Sequence, residues 1–109
     1  MATLGQKQRI FTRNVALLIQ FAYTVGYELT FAEAYRTPEQ AALNARKGTG
    51  IKNSLHTQRL AIDLNLFKNG KYLTSSKSHQ RLGEFWETLH PLNRWGGRFN
   101  DGNHYEMRK

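Results

Sequence analysis

The feature that most constrains this chain is a run over residues 60–67 in which leucine or isoleucine occupies every second position. Successive side chains of a β-strand point to opposite faces, so the apolar set shares one face, which must be buried. Asn69-Gly70 follows at once, which is the strongest short-range signal for a two-residue type I′ hairpin, and we expect a returning strand over residues 71–73. The buried face consists of Leu60, Ile62, Leu64 and Leu66.

Helices are predicted on either side of this hairpin. Apolar residues follow helical spacing over residues 6–25, before Gly26, and again over residues 78–89, before Pro91. Thr37, with Pro38 after it and Gln40 three residues on, has the pattern of a capping box and predicts a short helix to about Arg46. Further strands are expected at residues 27–35 and 104–107, with loops around Gly48 and Gly50 and over residues 95–103.

This order of elements indicates the α+β class, with a small antiparallel sheet packed against helices. A chain of 109 residues can bury one core, so we expect a single domain over residues 1–109. The chain has no cysteine, which excludes disulfides, thiolate metal sites and cysteine nucleophiles. Only histidine, aspartate and glutamate remain as strong metal ligands.

The net charge of +8 favours a polyanionic partner, such as nucleic acid, a cell-wall polymer or an anionic membrane surface. The longest apolar run near the start, residues 15–19, is far shorter than the roughly 20 residues of a spanning helix. The first ten residues carry no apolar stretch typical of a secretory signal. We therefore expect a protein that is cytoplasmic on synthesis and is not stably inserted in the membrane.

Asp63 is the residue that breaks the pattern of the buried strand. Its carboxylate lies beside core positions and needs a cation or several hydrogen-bond donors, so a structural salt bridge is one explanation. His56 precedes it by seven residues, an odd separation that would place the two on opposite faces of an unbroken strand. His56 can reach Asp63 only from a bent approach, which Asn53, Ser54 and the preceding glycines permit.

A second carboxylate and a second imidazole, Asp101 and His104, lie near the C-terminus across Gly102. Two imidazoles and one carboxylate, with an open fourth position, form a ligand set that catalytic zinc uses, and the remaining carboxylate could act as a general base. Elsewhere, Glu106 shares the strand face of His104 and could support an arginine or lysine. His79 and His90 are expected to be solvated or at helix ends, and Trp95 and Phe99 either wall a cleft or pack in the core.

The candidate ligands and the segments around them resemble the motifs of a known peptidase family. Ser54-Leu55-His56 with Ala61 and Asp63, and then Asp101-x-x-His104, resemble the S-x-H-(x6)-D and [E/D]-x-x-H signatures of the D-alanyl-D-alanine carboxypeptidase/dipeptidase metallopeptidases of peptidase family M15. More narrowly, the chain resembles the L-alanyl-D-glutamate peptidase branch found in phage endolysins, over roughly residues 25 to 107. The segments that look like this branch are Tyr35-Arg36-Thr37 with Gln40, Leu60-Ala61-Ile62-Asp63-Leu64 and Trp95-Gly96-Gly97-Arg98-Phe99.

The resemblance implies a hedgehog/D-Ala-D-Ala peptidase-like fold and a set of site residues. His56, Asp63 and His104 would bind Zn²⁺, and Asp101 would be the catalytic base. Arg36 would contact the substrate or the developing oxyanion, and Ser54 would hydrogen bond near the metal or the substrate. Arg59 departs from the family, which often has glycine between the first histidine and the aspartate.

The function implied by the resemblance is zinc-dependent peptidoglycan endopeptidase activity, endolysin-like, on the L-Ala–D-Glu bond of the cell-wall stem peptide. The alternatives are a D-alanyl-D-alanine carboxypeptidase or dipeptidase, a non-catalytic zinc-containing domain that binds cell wall, and a basic nucleic-acid-binding module. The chain has neither a nucleic-acid-binding motif nor a clustered basic stripe, so nucleic acid is not expected as a partner. The expected protein is a monomer that reaches the wall through a membrane pore made by another protein.

Overall fold

The structure is a computed structural model that describes residues 2–48 and 54–109. It confirms the predicted α+β class, with three α-helices and one five-stranded antiparallel sheet in these residues. The predicted loop position Gly50 and the predicted bend at Asn53 lie outside the described residues. In chain order the helices and strands are α1 (Leu4–Thr24), β1 (Glu28–Phe31), α2 (Pro38–Arg46), β2 (Ala61–Lys68), β3 (Lys71–Leu73), α3 (Gln80–Thr88), β4 (Asn93–Trp95) and β5 (His104–Met107).

Helix α1 begins two residues earlier than the apolar spacing predicts because Thr3 forms a capping box with Gln6. It ends at Thr24, and Gly26 then adopts a left-handed φ of 94°, as expected for the residue that stops a helix. In α2 the Thr37 hydroxyl accepts from the backbone N–H of Gln40, which confirms the Thr37 half of the predicted capping box. None of the helices in the described ranges is long and apolar enough to span a membrane.

The sheet has the strand order β1-β2-β5-β4, and β3 also pairs with β2. The predicted hairpin is confirmed, since Asn69 and Gly70 both have the positive φ values, 53° and 76°, that a type I′ turn requires. Strand β2 lies at the centre and pairs with β5 in a register that sets Asp63 opposite His104. Two residues that are distant in sequence therefore meet on neighbouring strands.

The core lies between the sheet and the helices α1 and α3. The predicted apolar face of β2 is buried, with Leu64 and Leu66 fully enclosed. Trp86 of α3 is also fully buried, and its indole N–H donates to the carbonyl of Glu106 at 2.9 Å, which fastens α3 to β5. The hydrophobic side of the sheet thus forms a rigid base for the residues on its other side.

Two strands differ from the prediction. The ladder of β1 ends at Phe31 rather than at residue 35, although Ala32 and Glu33 still hydrogen bond with the backbone of Asp63. Strand β4 was not predicted, because its three residues carry no alternation of their own. It exists through its pairing with β5, where Trp95 lies opposite Tyr105.

Candidate metal centre and active site

Three predicted ligands meet at one point on the polar side of the sheet. The Oδ1 atom of Asp63 lies 3.3 Å from Nε2 of His56 and 3.1 Å from Nδ1 of His104. One ligand atom from each of the three residues falls within 4.8 Å of the others. Strand β2 supplies Asp63, β5 supplies His104, and a 3₁₀ turn over Leu55–Gln58 supplies His56. The predicted bent approach of His56 is confirmed.

His56 is held through its ring and through its own backbone N–H. Its Nδ1 lies 2.9 Å from the carbonyl oxygen of Ala34, which can only accept, so Nδ1 donates to Ala34 and Nε2 is the nitrogen that faces Asp63. The Ser54 hydroxyl accepts from the backbone N–H of His56 at 3.2 Å and so begins the turn. Only 3% of His56 is exposed, so the ring has little freedom to leave this position.

His104 is held by side chains instead. Its Nε2 lies 2.8 Å from Oε1 of Glu106, and Glu106 in turn pairs with Arg94 at 2.7 Å. Glu106 therefore supports both an imidazole and an arginine, which confirms the predicted partner type. This second hydrogen bond leaves Nδ1 of His104 as the nitrogen that faces Asp63.

The charges of the cluster are strongly coupled. Burial opposes ionisation of Asp63, but hydrogen bonds from His104 and His56 outweigh it and lower the pKa of Asp63 to about 2. Burial likewise works against a charged His104, but Asp63 and Glu106 raise the pKa of its imidazole to about 9. At neutral pH the imidazole of His104 therefore donates to both carboxylates, and a divalent cation would take the place of its Nδ1 proton.

This donor set fits a zinc ion. Two imidazole nitrogens and one carboxylate oxygen converge, and the outward nitrogen of each ring already donates to an oxygen, which fixes the ring orientation as in metal-binding histidines. His56, Asp63 and His104 are therefore the candidate ligands. The carboxylate and imidazole types also suit other divalent ions, so the geometry indicates the class of metal rather than one element.

Asp101 lies beside this cluster and outside it. Its Oδ2 is 3.9 Å from Nδ1 of His104, and about half of its side chain is exposed. Burial and the nearby charge of Asp63 raise the pKa of Asp101 above its usual value. A carboxylate at the edge of a metal site, with an increased affinity for protons, has the properties of a general base.

The loop that carries Asp101 is fixed by close backbone contacts. Asp101 N–H donates to the Gly96 carbonyl at 2.8 Å, and a Cβ on Gly96 would lie 2.1 Å from the Asp101 carbonyl oxygen. A Cβ on Gly102 would come within 2.3 Å of Ser76. Gly102 therefore allows close approach, and the left-handed bend in this loop falls on Asn100, with a φ of 61°.

Arg36 is near the centre but is already paired. Its Nε donates to Oε2 of Glu33 at 3.2 Å, and its Nη2 contacts Oε1 of the same carboxylate. The hydrogen bond to Glu33 raises the pKa of Arg36, and Asp63 is close enough to add to this effect. The predicted substrate contacts of Arg36 and Ser54 stay predictions, and what the structure adds is a partner for each.

Arg59, the departure from the family pattern, ends the 3₁₀ turn with a left-handed φ of 55°. Glycine adopts this conformation without steric cost, which gives a physical reason for the family preference. The guanidinium of Arg59 lies 4.0 Å from the centre of the Tyr35 ring. In this chain the strained backbone of Arg59 therefore occurs together with stacking of its guanidinium on Tyr35.

Sequence reasoning missed two features around the site. Glu33 belongs to no motif, and although it lies only three residues before Arg36, the strand predicted over residues 27–35 would not have placed the two side chains together. His79 was expected to be solvated or at a helix end; it does lie at a helix end, as the N-cap residue before α3, but only 2% of it is exposed. Its Nδ1 lies 2.7 Å from the Tyr105 hydroxyl, and burial lowers the pKa of His79 to about 4.

The two aromatic residues Trp95 and Phe99 lie in different environments. Trp95 is buried and its indole N–H donates to the Gly102 carbonyl at 2.7 Å, so it packs behind the Asp101 loop. Phe99 is exposed, and its ring centre lies 6.0 Å from that of His104. Phe99 is therefore the aromatic wall of the site.

The sequence around the site resembles that of a known protein family. A family model described as D-alanyl-D-alanine carboxypeptidase matches residues 47–107, a span that contains the candidate ligands and Asp101. The chain belongs to the D-alanyl-D-alanine carboxypeptidase family. The family expected from the motifs is thereby confirmed. No curated protein sequence matches the chain significantly.

Two solved structures share the fold of this family member. The L-Ala D-Glu endopeptidase ChiX of Serratia marcescens aligns with a TM-score of 0.75 at 16% identity, covering 90% of this chain and 77% of that chain. The vancomycin resistance D,D-pentapeptidase VanY, a mutant from a VanB-type cassette in complex with Zn(II), aligns with a TM-score of 0.61 at 19% identity. That alignment covers 89% of this chain and 70% of VanY. Both likenesses confirm the expected peptidase fold.

Proposed function

We propose that the chain is a zinc-dependent peptidoglycan endopeptidase that hydrolyses the L-Ala–D-Glu bond of the stem peptide. The observation that carries the proposal is the arrangement of Asp101 next to the cluster of His56, Asp63 and His104. The fold shared with an L-Ala D-Glu endopeptidase supports the choice of bond. Residues 1–109 would form one catalytic domain.

The proposed roles follow from the positions of the side chains. His56, Asp63 and His104 hold Zn²⁺, which when bound would lower the pKa of a water molecule and polarise the scissile carbonyl. Asp101, at the open edge of the cluster, accepts a proton from the attacking water and returns it to the leaving amine.

Two further residues would act on the substrate itself. Arg36 contacts the substrate or the developing oxyanion, with its guanidinium oriented by Glu33. Ser54 hydrogen bonds near the metal or the substrate from the start of the turn that carries His56. Ser54 begins the turn that carries His56, and the backbone N–H of Arg36 donates to the His56 carbonyl at 3.2 Å, so both residues are placed relative to this turn.

A D,D-carboxypeptidase with the same metal chemistry is the second candidate. It is favoured by the description of the matching family model and by the likeness to VanY. A zinc-bearing domain that only binds cell wall is a weaker alternative, because a binding site has no use for a carboxylate in the position of Asp101.

Mass spectrometry of purified peptidoglycan digested by the zinc-loaded protein tests the proposal. Fragments with new D-glutamate amino termini are expected, whereas released D-alanine would assign the carboxypeptidase activity instead. Asp101→Ala is the matched control: zinc should stay bound while turnover falls by about 10²- to 10⁴-fold, the usual contribution of a general base. Undiminished turnover in this variant would remove Asp101 from the role of base.

We further propose that the enzyme serves as an endolysin of phage type, acting as a monomer on the wall after release through a membrane pore. The resemblance to the endolysin branch and the net charge of +8, which favours contact with an anionic wall, support this. Membrane-permeabilised bacteria should lose turbidity when the protein is added, and Asp101→Ala should have no effect. Intact turbidity despite cleavage of purified wall would contradict the lytic role.

A further inference from the structure

The segment between β1 and α2 is fastened to the candidate metal centre by hydrogen bonds of its backbone. Four bonds join it to Asp63 and His56, three of them between backbone groups and one from the His56 ring, so the backbone of the segment keeps a fixed position relative to the site. The bonds are Ala32 N–H to Asp63 O at 3.0 Å, Asp63 N–H to Glu33 O at 2.7 Å, His56 Nδ1–H to Ala34 O at 2.9 Å and Arg36 N–H to His56 O at 3.2 Å.

Glu33 and Arg36 project from this segment and form an ion pair with two contacts. Both carboxylate oxygens of Glu33 are engaged, one by Nε and one by Nη2 of Arg36. Arg36 is 14% exposed and Glu33 is 37% exposed, so the arginine is the more enclosed partner. The hydrogen bond from Arg36 lowers the pKa of Glu33, and the pair therefore carries no net charge at neutral pH.

We infer that Glu33 determines the specificity of this site. Its carboxylate offsets the positive charge of Arg36, so that the pair binds an uncharged amide of the substrate in preference to a free carboxylate. The inference rests on the proposed function. It assigns a role in specificity to Glu33, which belongs to none of the family motifs, and it specifies an amidated substrate.

The reason is the chemistry of the guanidinium group. An unpaired arginine binds a carboxylate through two parallel N–H donors, which is among the strongest polar contacts in proteins. Here the chain supplies that carboxylate itself, so a second one would bring two anions to one cation. An amide oxygen can accept from the N–H groups that Glu33 leaves free, without this repulsion.

At the proposed scissile bond, the amide and the carboxylate correspond to two forms of the D-glutamate residue. The D-glutamate residue of the substrate has two carboxyl groups beyond its amino group. One continues the stem peptide, and the other is either a free carboxylate or an amide. We expect the enzyme to prefer the amidated form.

Two synthetic stem peptides that differ only in this group test the inference. Their kcat/KM values, and their dissociation constants by calorimetry, are measured with zinc-loaded protein. The wild-type chain should favour the amidated peptide by about ten- to hundredfold, the range that corresponds to one hydrogen bond to a charged group. Glu33→Gln should lose or reverse this preference, because the positive charge of Arg36 is then no longer offset by a neighbouring carboxylate.

Two variants control for other causes. Glu33→Asp keeps the negative charge and should retain part of the preference. Glu28→Gln removes an exposed carboxylate from β1, changes the net charge equally and should keep the full preference. Zinc content should be equal in all variants, because none of these residues belongs to the ligand cluster.

The outcomes separate the inference from the proposed function. Equal preference in the wild type and Glu33→Gln, or a wild-type preference for the free carboxylate, overturns the inference even if both peptides are cleaved. If neither peptide is cleaved with zinc bound, the proposed function fails, and calorimetry still decides the inference. Tighter binding of the amidated peptide that Glu33→Gln loses supports it, and equal or absent binding overturns it.

Discussion

The two imidazoles of the candidate metal centre are held in opposite ways. His56, on the turn, donates to a backbone carbonyl, that of Ala34. His104, on β5, donates to a side chain, that of Glu106, which is itself paired with Arg94. One support depends on the path of the chain and survives any substitution that keeps this path. The other is encoded by particular residues and is lost when they change.

The difference is also electrostatic. A carbonyl oxygen has no net charge, whereas the Glu106 carboxylate helps Asp63 to raise the pKa of His104 to about 9. The His104 side of the centre is therefore a chain of charges that runs from Asp63 through the imidazole and Glu106 to Arg94. On the His56 side, the group that accepts from the ring is the uncharged Ala34 carbonyl. Substitutions on the two sides should consequently have different effects.

Asp63→Ala should have the largest effect, because it removes the atom that both imidazoles face. We expect zinc binding to be abolished and activity to be lost with it, since two imidazoles alone leave the cation with too few ligands. Chelator competition measures the affinity. Asn65→Ala, two residues along the same face of β2, is the matched control and should bind zinc normally. Tight zinc binding by Asp63→Ala would contradict the ligand set.

Glu106→Ala should have the next largest effect and tests the comparison directly. Removing the acceptor that fixes the His104 ring should weaken zinc binding about 10- to 100-fold, as is typical when the residue behind a ligating histidine is lost. Glu106→Gln keeps an acceptor and should preserve most of the affinity. Ala34→Ser, on the other side, leaves the carbonyl in place and should change nothing. Equal losses in Glu106→Ala and Ala34→Ser would break the distinction between the two supports.

His79 lies behind β5 and gives that side a dependence on pH. Burial lowers its pKa from 6.5 to about 4, so between these values the unfolded chain binds more protons than the folded one. Stability should therefore fall as the pH drops from 6.5 to 4, by up to about 3 kcal/mol. Urea unfolding at pH 7 and pH 4 should show a smaller acid loss for His79→Gln than for the wild type. Parallel losses would mean that His79 does not carry this effect.

The two sides of the site also differ in how far the sequence predicts them. The alternation of β2 and the Asn69-Gly70 turn are local signals, and they place Asp63 on its strand correctly. The pairing of Asp63 with His104 follows from the strand register, which the motif spacing anticipates but local patterns cannot fix. The burial of His79 has no local signal, because it depends on Tyr105, 26 residues away. Glu33 and Arg36 are only three residues apart, but an odd separation on the predicted strand would place them on opposite faces, and they pair because β1 ends at Phe31.

The smallest predicted effect lies on the neutral side, at the end of the turn that carries His56. Arg59 has a φ of 55°, a conformation that costs a residue with a Cβ roughly 1–2 kcal/mol and glycine very little. Arg59→Gly relieves this strain but loses the stacking on Tyr35, worth about 0.5–1 kcal/mol, and makes the unfolded chain more flexible. The gain and the losses nearly cancel, so thermal unfolding should show a stability within about 1 kcal/mol of the wild type. Arg59→Ala keeps the strain, loses the stacking and should be the less stable variant; if it equals Arg59→Gly, the left-handed backbone carries no cost at this turn.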